Sequence, residues 1–335
     1  MKIFYLIGAL LFCLGNLPIK AQTEKTQPDD VIRQQIDVVT FDAFVHTHKT
    51  GQPIANLKAT DFKLYEDGVE KEIEYFSQDK LPLSVLFLLD VSGSVLPIYK
   101  ELRDEALHAV ERFKPEDEIA LMVFSTEAQL VQGFTKDRTQ FADALGNLGQ
   151  SVKVGGGTFL NEGMYHATRY LRNAAAPNNR RVVIVITDNL ASKPLKKGKT
   201  HNEKEAMAEL IESGGVVCGI IVKSWISNVV TYHPVAVLMR TLTQPGSVNH
   251  YAEESGGTVI PSQTEQFEET LGKLVDNLRA RYSFGYNCSP DAQDGKLHKI
   301  KLKPRPEVEK HEGKIAIKTI RGFKFSKTGE RIKTK

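Results

Sequence analysis

Two different rhythms of apolar residues divide this chain. Near the N-terminus the period is two: Val39, Phe41, Ala43 and Val45 fall on one face of an extended segment. The same alternation runs from Asp61 to Phe76 and is broken by Asp67-Gly68, a dipeptide that supplies the positive φ angles of a tight hairpin. Alternation returns after Tyr282, over Tyr282–Tyr286, Leu297–Leu302 and Lys314–Ile320, with Asp294-Gly295 marking a turn. Between these flanks the grammar changes. Leu83–Asp90, Asp117–Ser125, Arg181–Asp188 and Gly215–Val222 are nearly continuous apolar runs, as expected of strands covered on both faces. Ala128–Phe134 and Gly256–Ile260 read as shorter strands. Helix patterns separate them: Leu102, Ala106, Val110 and Phe113 form one stripe. Further helices are predicted over 138–148, from Thr158 to about Asn173, over His201–Ser213, around Asn249–Glu254, and over Thr264–Arg281 with Thr264 as cap.

This order predicts an α/β domain at 82–282, a doubly wound, mainly parallel six-stranded sheet with helices on both faces. A β segment at 36–80 and another at 283–325 flank it and are expected to pack together as an accessory all-β module.

The ends change the picture of where the chain works. Met1–Ala21 has one early lysine, a short apolar stretch and then Asn16, Pro18 and Ala21, the pattern of a cleaved secretory signal peptide. Residues 22–35 read as a flexible lead-in and 326–335 as a disordered basic tail. No later run reaches the ~18 consecutive apolar residues of a membrane helix. A secreted, periplasmic or envelope location is therefore expected. The formal net charge of +3 falls by two when Lys2 and Lys20 leave with the leader, so nothing electrostatic points to nucleic acid. Cys218, in a core strand, and Cys288 are expected to be free thiols with no metal-ligand spacing.

Candidate chemistry gathers at the strand ends. Two apolar strands finish on acids, Asp90 and Asp188. In a sheet of order 3-2-1-4-5-6 these strands are neighbours at the point where the order reverses, the usual place for a ligand. Two adjacent carboxylates repel unless one is protonated or both hold a cation. Ser92 and Ser94 alternate along the loop after Asp90, and Thr158 follows Gly155, Gly156 and Gly157, which permit close backbone approach. The set is two carboxylates and three hydroxyls. Oxygen-only ligation suits Mg²⁺, Mn²⁺ or Ca²⁺, and such ions keep waters that an incoming carboxylate can displace. Each piece has a plainer reading taken singly: turn and cap chemistry for Asp90-x-Ser-x-Ser, a helix cap for Thr158, a solvated turn for Asp188. Their joint occurrence, in order and at the correct strand ends, favours the metal.

Asp90-Val-Ser-Gly-Ser94, Thr158 in Gly-Gly-Gly-Thr-Phe-Leu-Asn-Glu-Gly-Met-Tyr, and Asp188 closing Val-Val-Ile-Val-Ile-Thr-Asp closely resemble a von Willebrand factor type A domain. The five positions match its metal-ion-dependent adhesion site. The flanks, Pro53–Ile73 and the segment from Tyr282 to Leu302, resemble the bacterial von Willebrand A-related family described from Acidobacteria. The resemblance implies a secreted, cation-dependent adhesion or binding protein that meets a protein or other acidic ligand. Asn189 stands where that family often has glycine, and asparagine tolerates the left-handed backbone. The 224–246 stretch, with Trp225, is longer than usual and is read either as a ligand-facing excursion or as a plain surface loop.

Other chemistries fare worse. There is no G-x-S-x-G elbow and no phosphate-binding G-x-x-x-x-G-K-[ST] loop, and Ser92 occupies the place where strand-end phosphotransferases carry a second aspartate. His46 and His48 share a strand face but have no identifiable third ligand. An enzyme is not expected. The second reading is a structural or assembly subunit of an envelope complex, in which the ion mainly stabilises.

Overall fold

The computed structural model describes residues 38–95, 98–148, 157–190, 200–223, 247–288 and 294–324. The leader at 1–21, the lead-in at 22–35, Gly155, Gly156, the 224–246 stretch with Trp225 and the tail at 326–335 lie outside the described residues.

The central sheet has six strands: β5 (Leu83–Asp90), β6 (Glu118–Phe124), β7 (Ala128–Thr135), β8 (Arg180–Thr187), β9 (Val216–Val222) and β10 (Val259–Ser262). Their order is β10-β9-β8-β5-β6-β7. Counted from β5, this is the 3-2-1-4-5-6 arrangement, and β7 alone is antiparallel to its neighbour. All eight residues of β5 are buried because the strand has a helix layer on each side. Val85, Phe87 and Leu89 join one core cluster with Leu102 of α1 (Tyr99–Val110), Phe141 of α2 (Arg138–Gly146) and Leu271 of α6 (Phe267–Arg279). Leu86 and Leu88 point the other way. They meet Leu160 and Met164 of α3 (Leu160–Leu171), Leu210 of α4 (Glu203–Ser213) and Tyr251 of α5 (Val248–Ser255). The period of two thus survives inside a wholly apolar strand and feeds two cores. Among the described residues, no helix is long and apolar enough to cross a membrane.

The flanks form two further four-stranded sheets. One has order β13-β1-β11-β4, from Ile315–Thr319, Val38–Thr47, Tyr282–Asn287 and Tyr75–Ser77. The other has order β14-β12-β2-β3, from Gly322–Lys324, Leu297–Pro304, Phe62–Glu66 and Val69–Lys71. N-terminal and C-terminal strands pair directly, Phe41 opposite Phe284 and Leu64 opposite Leu302. Aromatic rings from both ends of the chain fill the interior; Phe62 meets Phe284 edge to face at 5.1 Å. Asp67 (φ 49°) and Gly68 (φ 90°) make the expected tight turn.

Several local expectations change. The alternating run after Gly68 is two strands, because β3 pairs with β2 in one sheet and β4 with β11 in the other. Thr264 does not cap a helix; it lies buried within a short 3₁₀ turn, Thr264–Gln266, that leads into α6. A short helix, α7 (Pro306–Glu312), and strand β14 complete the C-terminal flank. Pro306 opens α7, where its missing N–H costs nothing.

A buried ion pair joins the accessory sheets to the α/β domain. Arg180, the first residue of β8, has a side chain 1% exposed, and its Nε donates to Asp42 Oδ2 at 2.6 Å. Ser283 Oγ also donates to Asp42, at 2.7 Å. Burial pushes the Asp42 carboxyl up, but the charge and hydrogen bonds of Arg180, with help from Ser283, outweigh it and hold the carboxyl below its usual range. Removing one partner of a buried pair strands the other charge. Asp42→Ala is expected to destabilise the protein by roughly 3–5 kcal/mol, whereas Ser283→Ala should cost only ~1 kcal/mol. Denaturant unfolding of the two variants checks this, and equal small losses would contradict the assigned tie.

Candidate metal centre

The parallel ladder between β5 and β8 places Leu89 opposite Ile186. The next residues, Asp90 and Thr187, therefore leave the sheet side by side, and Asp188 follows at once. Thr187 Oγ1 donates to Asp90 Oδ2 at 2.6 Å. On its other side, the Ser92 backbone N–H donates to Asp90 Oδ1 at 2.9 Å, which folds the loop back over the carboxylate. Val91 N–H donates to the Phe124 carbonyl at 2.9 Å and Val95 N–H to the Ser92 carbonyl at 3.1 Å, fixing both ends of the turn. Within it, the Ser92 and Ser94 hydroxyl oxygens stand 3.2 Å apart.

The remaining two positions arrive from neighbouring loops. Phe159 N–H donates to the Ser125 carbonyl at 2.7 Å, anchoring the Thr158 segment to the end of β6. Phe159 occupies the N-cap of α3, so Thr158 lies one residue outside the helix and is not its capping residue. Asp188 accepts from Leu190 N–H at 3.1 Å, while Asn189 N–H donates to Thr187 Oγ1 at 3.0 Å. Asn189 takes φ 58°, the left-handed conformation expected of it. Asp90, Ser92, Thr158 and Asp188 are all buried and Ser94 is half-buried. A merely solvated turn at Asp188 is therefore excluded.

Electrostatics at this cleft are unbalanced. Burial pushes the Asp90 carboxyl up to about 6; hydrogen bonds from Thr187 and Ser92 oppose the rise, and the charge of Asp188 adds to it. The two carboxylates thus lie within electrostatic reach of each other. Two buried acids, with Thr187 and Ser92 on Asp90 and the Ser94 hydroxyl beside that of Ser92, fit a hard divalent cation. All five positions named from the sequence carry oxygen.

The second candidate from the sequence does not develop. His46 stacks on Phe44 at 5.0 Å, and its Nδ1 lies 3.1 Å from the Thr47 carbonyl. Cys218 is a buried thiol and Cys288 a half-buried cysteine. A different cluster emerges instead, from Glu162, His166 and His201. Its first two members carry the i, i+4 spacing of a helical ligand pair, which the sequence does display; the third comes from the start of another helix and is adjacent only in space.

The profile of the von Willebrand factor type A domain matches residues 85–191. Over 120 residues the chain is 28% identical to inter-alpha-trypsin inhibitor heavy chain H2 of the pig, a match that spans 33% of this chain and 13% of that protein. Among solved structures, the conserved hypothetical protein BatB from Bacteroides thetaiotaomicron is 17% identical, covering 58% of this chain and 97% of its own, with a TM-score of 0.42. Proximal thread matrix protein 1 from the mussel byssus, solved with a zinc-occupied MIDAS motif, is 17% identical over 64% of this chain and 50% of its own, with a TM-score of 0.43. The profile match to the von Willebrand factor type A domain thus lies across the strands that carry Asp90 and Asp188.

Proposed function

We propose that this chain is a divalent-cation-dependent binding protein that works outside the cytoplasm, in the envelope or secreted. Asp90, Ser92, Ser94, Thr158 and Asp188 hold Mg²⁺, or Mn²⁺ or Ca²⁺ in its place, directly or through water. One coordination position stays open for a carboxylate of a protein or other acidic ligand. A bound cation would supply positive charge beside these two buried acids and a Lewis-acidic vertex for the ligand.

The observation that carries the reading is the buried Asp90 carboxylate, fixed through both oxygens by Thr187 and Ser92 and pressed by the charge of Asp188. Such a group is costly unless a cation compensates it. The protein's part is orientation. Thr187 and the Ser92 amide fix the plane of the Asp90 carboxylate, and the Ser92–Ser94 turn brings two hydroxyls to the same side. Binding through such an arrangement needs no proton shuttle, which supports the binding reading.

Two outcomes are expected. In chelator, Asp90→Asn should be more stable than the wild type at neutral pH. A carboxyl held at about 6 instead of 3.8 binds its proton more tightly when folded, so its contribution is present below the unfolded value and lost as pH rises through the folded one. The loss amounts to on the order of 3 kcal/mol, and Asn avoids it. Thermal unfolding in chelator at pH 5 and pH 7 checks this; a wild type that gains stability between those values relative to Asp90→Asn would contradict it. Second, Asp90→Ala should fold yet lose Mg²⁺ binding by calorimetry and Mg²⁺-dependent capture of carboxylate ligands from an envelope extract. Capture that persists unchanged in chelator would overturn the adhesive reading, and unfolding on chelation would transfer support to the structural one.

A further inference from the structure

We propose that Glu162, His166 and His201 form a second metal site, which takes a borderline first-row transition cation such as Zn²⁺ through one carboxylate oxygen and two imidazole nitrogens. The site is built separately from the oxygen-only centre and does not depend on it.

Glu162 and His166 sit one turn apart on α3, the spacing at which helical side chains meet. His166 Nε2 lies 2.9 Å from Glu162 Oε1, and His201 Nδ1 lies 2.9 Å from Glu162 Oε2. One ligand atom from each residue falls within a 4.8 Å cluster. A tetrahedral zinc with bonds of about 2.0 Å spaces its ligands ~3.3 Å apart. Whichever carboxylate oxygen ligates, its contact with one imidazole needs to open by only a few tenths of an ångström, and the other imidazole, now facing the second oxygen, has to draw in from within 4.8 Å.

The carboxylate and His201 are held by more than the side-chain contacts between the ligands. The His201 backbone N–H donates to Glu162 Oε2 at 2.8 Å, which orients the carboxylate and leaves Oε1 turned toward His166. The His201 ring lies flat on Tyr165, with ring centres 3.4 Å apart and planes 7° from parallel. Its backbone is fixed by the next residue. Asn202 caps α4 by accepting from Glu205 N–H at 3.1 Å, and Asn202 N–H donates to the Glu205 carboxylate at 2.8 Å. Outer contacts of this kind are what set ligand orientation in metal sites.

The chemistry of the donor set separates this site from the other one. Imidazole nitrogen suits zinc, copper, nickel and iron, whereas hydroxyl and carboxylate oxygen suit magnesium, calcium and manganese. Burial pushes the Glu162 carboxyl up, but hydrogen bonds with His201 and His166 outweigh it and hold the carboxyl below its usual range. The partners shown around this carboxylate are two imidazoles and a backbone amide, none of which carries an obligatory positive charge. Each ring needs only the tautomer that protonates its opposite nitrogen to present a lone pair to the ion. Side-chain exposure rises from 11% at Glu162 to 28% at His201 and 42% at His166, so the cluster opens to solvent on the His166 side. Three protein ligands with an open face leave at least one exchangeable position.

The test uses the full-length chain with ¹⁵N-labelled histidine, stripped with chelator, saturated with Mg²⁺ to fill the oxygen centre, and titrated with Zn²⁺. One equivalent is expected to shift His166 Nε2 and His201 Nδ1 together, and the same equivalent is expected in Asp90→Ala. Glu162→Gln and His166→Ala should each weaken Zn²⁺ binding by more than the ~10–100-fold that loss of an outer contact costs. His166 is exposed enough for its removal to leave the fold intact, and circular dichroism checks that. Ring nitrogens that stay unshifted through the first equivalent in the wild type would overturn the proposal whatever the variants do. So would undiminished zinc affinity in folded His166→Ala.

Discussion

The pairing of β5 with β8 is the constraint on which the rest of this molecule depends. Two strands with apolar middles lie parallel in adjacent places and end on the same side, at Asp90 and just before Asp188. Parallel neighbours end on the same side of a sheet, so their terminal side chains share one crevice. Neither strand could donate its acid to that crevice if a third strand lay between them. The sheet order, and not any single residue, is what turns two isolated aspartates into a pair.

β8 also connects two parts of the protein. Its eight residues begin with Arg180, locked to Asp42 of the accessory sheets, and lead directly into Asp188 at the other end. A strand of that length spans about 26 Å, a stiff element buried along nearly its whole course. The accessory sheets thus grip the domain at the end of the strand remote from the carboxylates, and the cleft face is left to the loops. Helix α3 plays a comparable double part. Thr158 just precedes its first turn, and Glu162 and His166 lie on the turns that follow. Under the two proposals, hard and borderline donor sets stand close together in sequence yet use different chemistry, which would let one helix serve two ions.

Most of the fold was legible because long apolar runs and stripes have few alternative explanations. The strand order followed from the acids at two strand tips and the general rule for doubly wound sheets, and β5 and β8 lie side by side as the pattern put them. What the sequence hid was governed by tertiary contact. The break between β3 and β4 follows from which sheet each half joins, and no local propensity encodes that. Thr264 looked like a cap because threonine precedes an apolar stripe, but a 3₁₀ turn intervenes and buries it. His201 gives no local sign of its partners, since its nearest ligand neighbour belongs to another helix. Asn189 was legible for the opposite reason: few residues other than glycine accept its backbone angle easily.

The central claim is that one cation sits between the tips of β5 and β8. Anomalous diffraction from crystals grown with Mn²⁺ tests it most directly. The account predicts a single strong manganese peak bounded by Asp90, Ser92, Ser94, Thr158 and Asp188, with water or a foreign carboxylate completing the shell. A well-ordered cleft with no peak, or manganese bound elsewhere while the two aspartates point apart, would contradict it.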